Sequence, residues 1–269
     1  MTSIPHPKAY LPSIKSGIAL AIAVPVCAYA SRIFSADFDV YVNVFELGPG
    51  GMGLSFPYDL KFIVNFIAMC IGLSLVFWLG LKALLRSIEG RDRAKSIIEA
   101  LAVVAIITNA MGVVFHWGFD KANSFYTHEY GYDTTDVYTY LYFNDEWLGH
   151  GLQQTSMLAF FALLVAAEQL VPRTRKIHWV EWLWLAGIAG VVAVTDGYAA
   201  LRSESAILMC IASMVMLGGE LGYWLGKRPK LLESPLLLGT IVANAIVAVE
   251  NIVFIAMYGL SPWYPWLRP

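Results

Sequence analysis

Two short segments of the chain each pair a histidine with a carboxylate four residues away. Phe115-His116-Trp117-Gly118-Phe119-Asp120 holds His116 and Asp120, and Asn144-Asp145-Glu146-Trp147-Leu148-Gly149-His150 holds Glu146 and His150. On an α-helix that spacing places both groups on one face. Imidazole nitrogen and carboxylate oxygen are ligands for zinc, iron, manganese or copper. His116, Asp120, Glu146 and His150 are therefore the candidate ligands of a divalent transition metal. Two histidines with one or two carboxylates leave a position open for water or substrate. A metal ion there generates hydroxide or polarises a carbonyl or phosphoryl group. Asp145, Gln153, Gln154 and His128 are candidates to bond the second nitrogen of a ligating histidine. Asp145 and Asp196 are the candidate catalytic carboxylates; Asp196 can equally form an ion pair with Arg202.

Other readings of the four groups stay open. They can be interfacial polar residues that reach for water and pair with one another. His116 and His150 can also be axial ligands of a haem, although no C-x-x-C-H motif attaches one covalently.

The elements that carry these residues follow from hydropathy. Of 269 residues, 58% are hydrophobic and only 14% charged, and the mean hydropathy is +0.61. A soluble domain carries about a quarter charged residues. Apolar runs cover roughly 17–34, 60–85, 97–118, 147–171, 179–200, 205–226 and 236–259. Each approaches the length of about 20 residues that crosses a bilayer as a helix. Hydrocarbon offers no partner for an open backbone, so helices are required. The expected fold is all-α: a polytopic membrane helix bundle with about seven transmembrane helices, residues 1–269 forming a single integral membrane domain. Pro25 is expected to kink the first span, while Pro172 and Pro229 fall just beyond helix ends. Lys8, Lys15 and the Ala28-Tyr29-Ala30 segment also fit a cleaved signal peptide, which would leave six spans. The odd count of Cys27, Cys70 and Cys210 argues against a disulfide framework.

Charge sets the expected orientation. Lys8, Lys15, Lys82, Arg86, Arg91, Arg93, Lys95, Arg173, Arg175, Lys176, Lys227, Arg228 and Lys230 fall on the amino-terminal side, 13 of the 18 basic residues. Short basic loops stay in the cytoplasm. The amino terminus is thus expected in the cytoplasm, and the carboxyl terminus and the acidic His/carboxylate face on the extracytoplasmic side of a plasma or inner membrane. The basic residues are juxtamembrane clusters, which sets nucleic-acid binding aside. Two loops on the acidic side are long. Residues 35–59 contain Gly48-Pro49-Gly50-Gly51-Met52-Gly53 and are expected as a flexible loop or lid. Residues 121–146 are rich in Tyr and are expected along the interface, partly as an amphipathic helix capped by Asp133 or Thr134.

Within the last span, Glu250 is a functional candidate, with Asn65, Asn109 and Asn244 available to hydrogen-bond it. Glu99, Glu168, Glu181 and Glu220 read as structural. Three functions follow. The first is a metal-dependent enzyme, such as a hydrolase, acting on a lipid or other amphiphilic small-molecule substrate. The second is a non-catalytic subunit binding membrane lipids, quinone, haem or the helices of other membrane subunits. The third is a proton- or cation-coupled transporter using Glu250 and Asp196. The general layout is similar to that of seven-span intramembrane hydrolases such as the alkaline ceramidases and adiponectin receptors. Those families carry a His pair in the last helix, whereas this chain has no His beyond His178.

Overall fold

A computed structural model describes residues 10–28, 39–45, 54–130, 136–171, 206–229 and 231–259, together with Gly187, Gly190 and Ala193. Helix α1 spans Tyr10–Ala28. Strands β1 (Asp39–Phe45) and β2 (Leu54–Asp59) follow. Helix α2, residues 60–85, is wound as a π-turn over Ile67–Gly72. Helix α3 spans Asp92–Tyr130. Helix α4, Asp136–Leu170, contains a second π-turn over Phe143–Gly149. Helices α5 (Ala206–Lys227) and α6 (Pro235–Tyr258) complete the described elements, with a short 3₁₀ turn at Leu231–Glu233 between them.

Five helical stretches are long and apolar enough to cross a membrane: Ile63–Leu85, Asp92–Asn123, Asp136–Leu170, Ile207–Lys227 and Pro235–Met257. The apolar part of α1, Lys15–Cys27, is shorter. The span expected over 179–200 lies outside the described residues apart from its three placed positions, and so do Asp196, Arg202 and Glu204. Large apolar side chains such as Ile71, Leu79, Val104, Val215 and Met257 are exposed. Apolar faces this extensive suit hydrocarbon rather than water.

The structure departs from expectation in the two long loops. Most of 121–146 is helix, because α3 runs on to Tyr130 and α4 begins at Asp136. Hydropathy marks only the length that matches hydrocarbon. Beyond it the two helices continue to pack, with the Phe119 and Tyr140 rings edge-on at 6.0 Å. In the 35–59 segment, β1 and β2 pair antiparallel from Asp39↔Asp59 to Phe45↔Leu54, with an irregularity between Asn43 and Phe45. The β1 sequence Asp39-Val40-Tyr41-Val42-Asn43-Val44-Phe45 is rich in residues that suit a pleated surface.

The helices pack mainly as sequential pairs, α1 on α2, α3 on α4 and α5 on α6. Leu73, Phe77, Leu81, Phe160, Leu164 and Leu237 are fully buried among them. Phe77 of α2 and Phe160 of α4 stack at 4.1 Å with an interplanar angle of 11°. Two polar joints tie this apolar core. Asn109 donates from Nδ2 to the Met69 carbonyl at 2.9 Å and accepts at Oδ1 from Ser156 Oγ at 3.2 Å. Met69 lies in the π-turn of α2, where carbonyls leave the regular α ladder. At the other end of α4, Glu168 accepts the backbone N–H groups of Leu236 and Leu237, each at 3.1 Å. These belong to the first turn of α6, whose N-cap Ser234 makes no side-chain cap bond. Glu168 thus caps a neighbouring helix, placing negative charge at its positive end.

Replacing Glu168 by Leu strands two buried N–H groups and is expected to lower stability by about 1–3 kcal/mol. Glu168→Gln keeps an acceptor and is expected to cost less. Thermal unfolding in detergent measures both, and equal losses for the two variants would contradict the capping role.

Candidate metal centre

The site is built by a close approach of two helix backbones. A Cβ on Gly149 of α4 would lie 2.5 Å from the His116 backbone nitrogen, and one on Gly112 of α3 would lie 2.5 Å from that of Gln153. Gly112 and His116 are four apart on α3, as are Gly149 and Gln153 on α4, so the contact repeats one turn along each helix. Small residues at such spacing are how membrane helices come into near contact.

That approach carries His116 onto α4. Its Nδ1 lies 2.5 Å from Asp145 Oδ1. With Asp145 ionised, the carboxylate only accepts and the imidazole Nδ1–H is the donor. The rings of His116 and His150 lie 4.0 Å apart between centroids, tilted by 43°. One ligand atom from each of His116, Asp145 and His150 falls within 4.8 Å of the other two. Asp145 is buried and both histidines are partly so.

The π-turn of α4 decides which acid joins the histidines. In an α-helix, residues five apart point about 140° away from each other. Over Phe143–Gly149 the helix is overfilled, and the His150 N–H donates to the Asp145 carbonyl five residues back. The wider turn brings Asp145 and His150 to one side. Asn144 supports it by donating from Nδ2 to the Tyr140 carbonyl at 2.7 Å.

The structure therefore brings together two of the four expected ligands, His116 and His150, and adds Asp145, which sequence reasoning had placed as a catalytic or orienting carboxylate. Glu146 stays beside His150, with Oε2 at 3.5 Å from Nε2, but is outside the three-residue group. Asp120 is also outside that group, though close enough for its charge to act on Asp145. Gln153 is buried with its backbone against Gly112. His128 belongs to α3, about 18 Å along the axis from His116. Asp196 lies outside the described residues. Glu250 is on α6, and its Oε2 is buried without a hydrogen-bond partner among the described residues. Asn244 bonds Glu220 at 3.2 Å instead, and Asn109 is engaged with Met69 and Ser156.

Two imidazoles and a carboxylate are a donor set for zinc and its neighbours. Ligand atoms around a tetrahedral zinc sit about 3.3 Å apart. The present Nδ1···Oδ1 contact is a hydrogen bond, so an ion bound by those two atoms replaces it with coordinate bonds after an opening of less than about 1 Å.

Gly149→Ala is expected to force α3 and α4 apart and to lower the melting temperature by several degrees. Gly118→Ala is the control. A Cβ there meets nothing within 4 Å, and Ala is the better helix former. Similar melting temperatures for the two variants would contradict the close approach.

No family model, curated protein or solved structure matches the chain.

Proposed function

We propose that this chain is an integral membrane metalloprotein that holds a divalent transition-metal ion between α3 and α4, with His116, Asp145 and His150 as protein ligands. The observation that carries the reading is the convergence of one donor atom from each of these residues within 4.8 Å. Three protein ligands leave a coordination position for water or substrate, the arrangement of catalytic rather than closed structural sites. A bound ion supplies Lewis acidity and a nucleophilic hydroxide near neutral pH. The finer reading is an enzyme, with hydrolysis as the reaction class and an amphiphile as substrate, because the site lies where candidate spanning helices run on into polar sequence. Glu146, beside His150, is the carboxylate placed to handle a proton in such a reaction. The bias of basic residues supports a cytoplasmic amino terminus and an extracytoplasmic site, and the seven apolar runs of the sequence support about seven spans.

A second reading has its own support in the 2.5 Å His116–Asp145 contact. In that reading the acid and the imidazoles form a structural hydrogen-bonded group that locks α3 to α4 and binds no ion.

Elemental analysis of protein purified in detergent separates the two. The metal reading expects stoichiometric zinc, iron, manganese or copper, lost in His116→Ala and His150→Ala and weakened in Asp145→Asn. The Asn variant keeps a hydrogen-bond acceptor but loses the charge. Metal-free wild-type protein, with Asp145→Asn destabilised, would leave the structural reading. A Soret absorption band would redirect the two histidines to haem.

A further inference from the structure

At the end of the bundle away from the His116 group, a cleft of about 490 Å³ opens between α4, α5 and the turn joining α2 to α3. Its walls are apolar, with Ala162 and Val165 from α4 and Val215 and Met216 from α5. Its polar residues are Arg91, Gln169, Tyr223 and Glu220. Glu220 is buried, and its Oε2 accepts from Asn244 Nδ2 at 3.2 Å on the α6 side. Arg91 is different: it is exposed and has no ion-pair partner among the described residues. Arg86, Arg93, Lys227 and Arg228 are exposed at the same end of the bundle. The neighbouring acids are partly committed, Asp92 to Lys95 at 3.5 Å and Glu99 to Lys82 at 2.6 Å.

An apolar cleft in the range of sites that enclose a small amphiphile, with an unpaired guanidinium among its lining residues, selects its occupant by charge. A basic pocket between membrane helices favours an anionic lipid headgroup over a zwitterionic one. Guanidinium also matches phosphate geometry. We propose that the cleft seats one acyl chain of an anionic phospholipid, with the phosphate on Arg91. Gln169 and Tyr223 also line the cleft, Tyr223 Oη donating to Gln169 Oε1 at 3.5 Å and Gln169 Nε2 to Glu168 at 3.3 Å. The site is independent of the metal reading and shares no residue with it.

Glycine 219 provides the means of testing it. Gly219 lines the cleft, and a Cβ there meets nothing within 4 Å. Gly219→Leu adds bulk at the cleft wall at a position where the Cβ meets no neighbour, and Leu favours helix over Gly. The experiment is a native mass-spectrometry titration of the full chain in detergent with phosphatidylglycerol, phosphatidylcholine or glycerol phosphate. Phosphatidylglycerol is expected to bind in preference to phosphatidylcholine. Arg91→Gln is expected to weaken it roughly fivefold and to erase the preference. Gly219→Leu, with an unchanged or higher melting temperature, is expected to abolish binding of both lipids. Arg93→Gln, outside the cleft, is expected to leave the preference intact. Equal binding of the two lipids, or a preference that persists in Arg91→Gln, would overturn the proposal. So would full binding to Gly219→Leu. Competition by glycerol phosphate at equal concentration would assign the site to free phosphate, and an equal loss in Arg93→Gln would assign the effect to diffuse charge.

Discussion

The backbone contact between α3 and α4 at Gly112 and Gly149 is the constraint on which the candidate site depends. Each glycine leaves room for only a hydrogen where the facing backbone nitrogen passes. A methyl group at either position would lie 2.5 Å from the facing backbone nitrogen, so the helices would have to part by about 1 Å to reach ordinary contact, enough to weaken the His116–Asp145 hydrogen bond. Histidine and carboxylate side chains are flexible enough to miss one another by several ångströms, and the helix spacing sets whether they meet. The apolar core contributes mass and shape, with Phe77 stacked on Phe160 inside it. The glycines set the distance at which chemistry becomes available.

Irregular winding recurs where polar groups are used. The π-turn of α2 presents the Met69 carbonyl to Asn109, and the π-turn of α4 presents Asp145 to His116. In each case an asparagine supports the irregularity, through Asn109 Nδ2 in one and Asn144 Nδ2 in the other. A helix in hydrocarbon cannot leave carbonyls unmet, so a π-turn within a candidate span needs such a partner. Asn109 carries that role here rather than serving Glu250, and Asn244 bonds Glu220.

Much of the architecture was legible in the apolar runs. Long helices, short basic connections and a His/carboxylate cluster at the facing ends of two successive helices all follow from hydropathy and spacing. The proximity of His116 and His150, with rings 4.0 Å apart, follows from the packing of successive helices and from both residues lying at the same end. The spacing rule favours Asp120 and Glu146 over Asp145 as ligands because it assumes 3.6 residues per turn, and residues 143–149 do not obey it. No residue type announces a π-turn. The nearest signal was Gly149 directly before His150, which marks a tight approach without giving its partner. The helical extensions through Tyr130 and from Asp136 were missed for another reason: hydropathy is blind to polar helix that packs outside hydrocarbon. The cap on α6 was hidden because Glu168 lies 68 residues from the N–H it bonds.

Helix α4 is anchored at two separated points. Gly149, thirteen residues into the helix, lies against α3 at van der Waals limits, and Glu168 near the carboxyl end grips the start of α6, about 28 Å away along the axis. A rod fixed in this way cannot slide lengthwise, since any axial shift would break the carboxylate grip or drive Gly149 into the neighbouring backbone. Rotation about its own axis is opposed as well, by the stacked Phe160 ring at mid-length. The position of α4 along and about its axis is therefore set by these three contacts together.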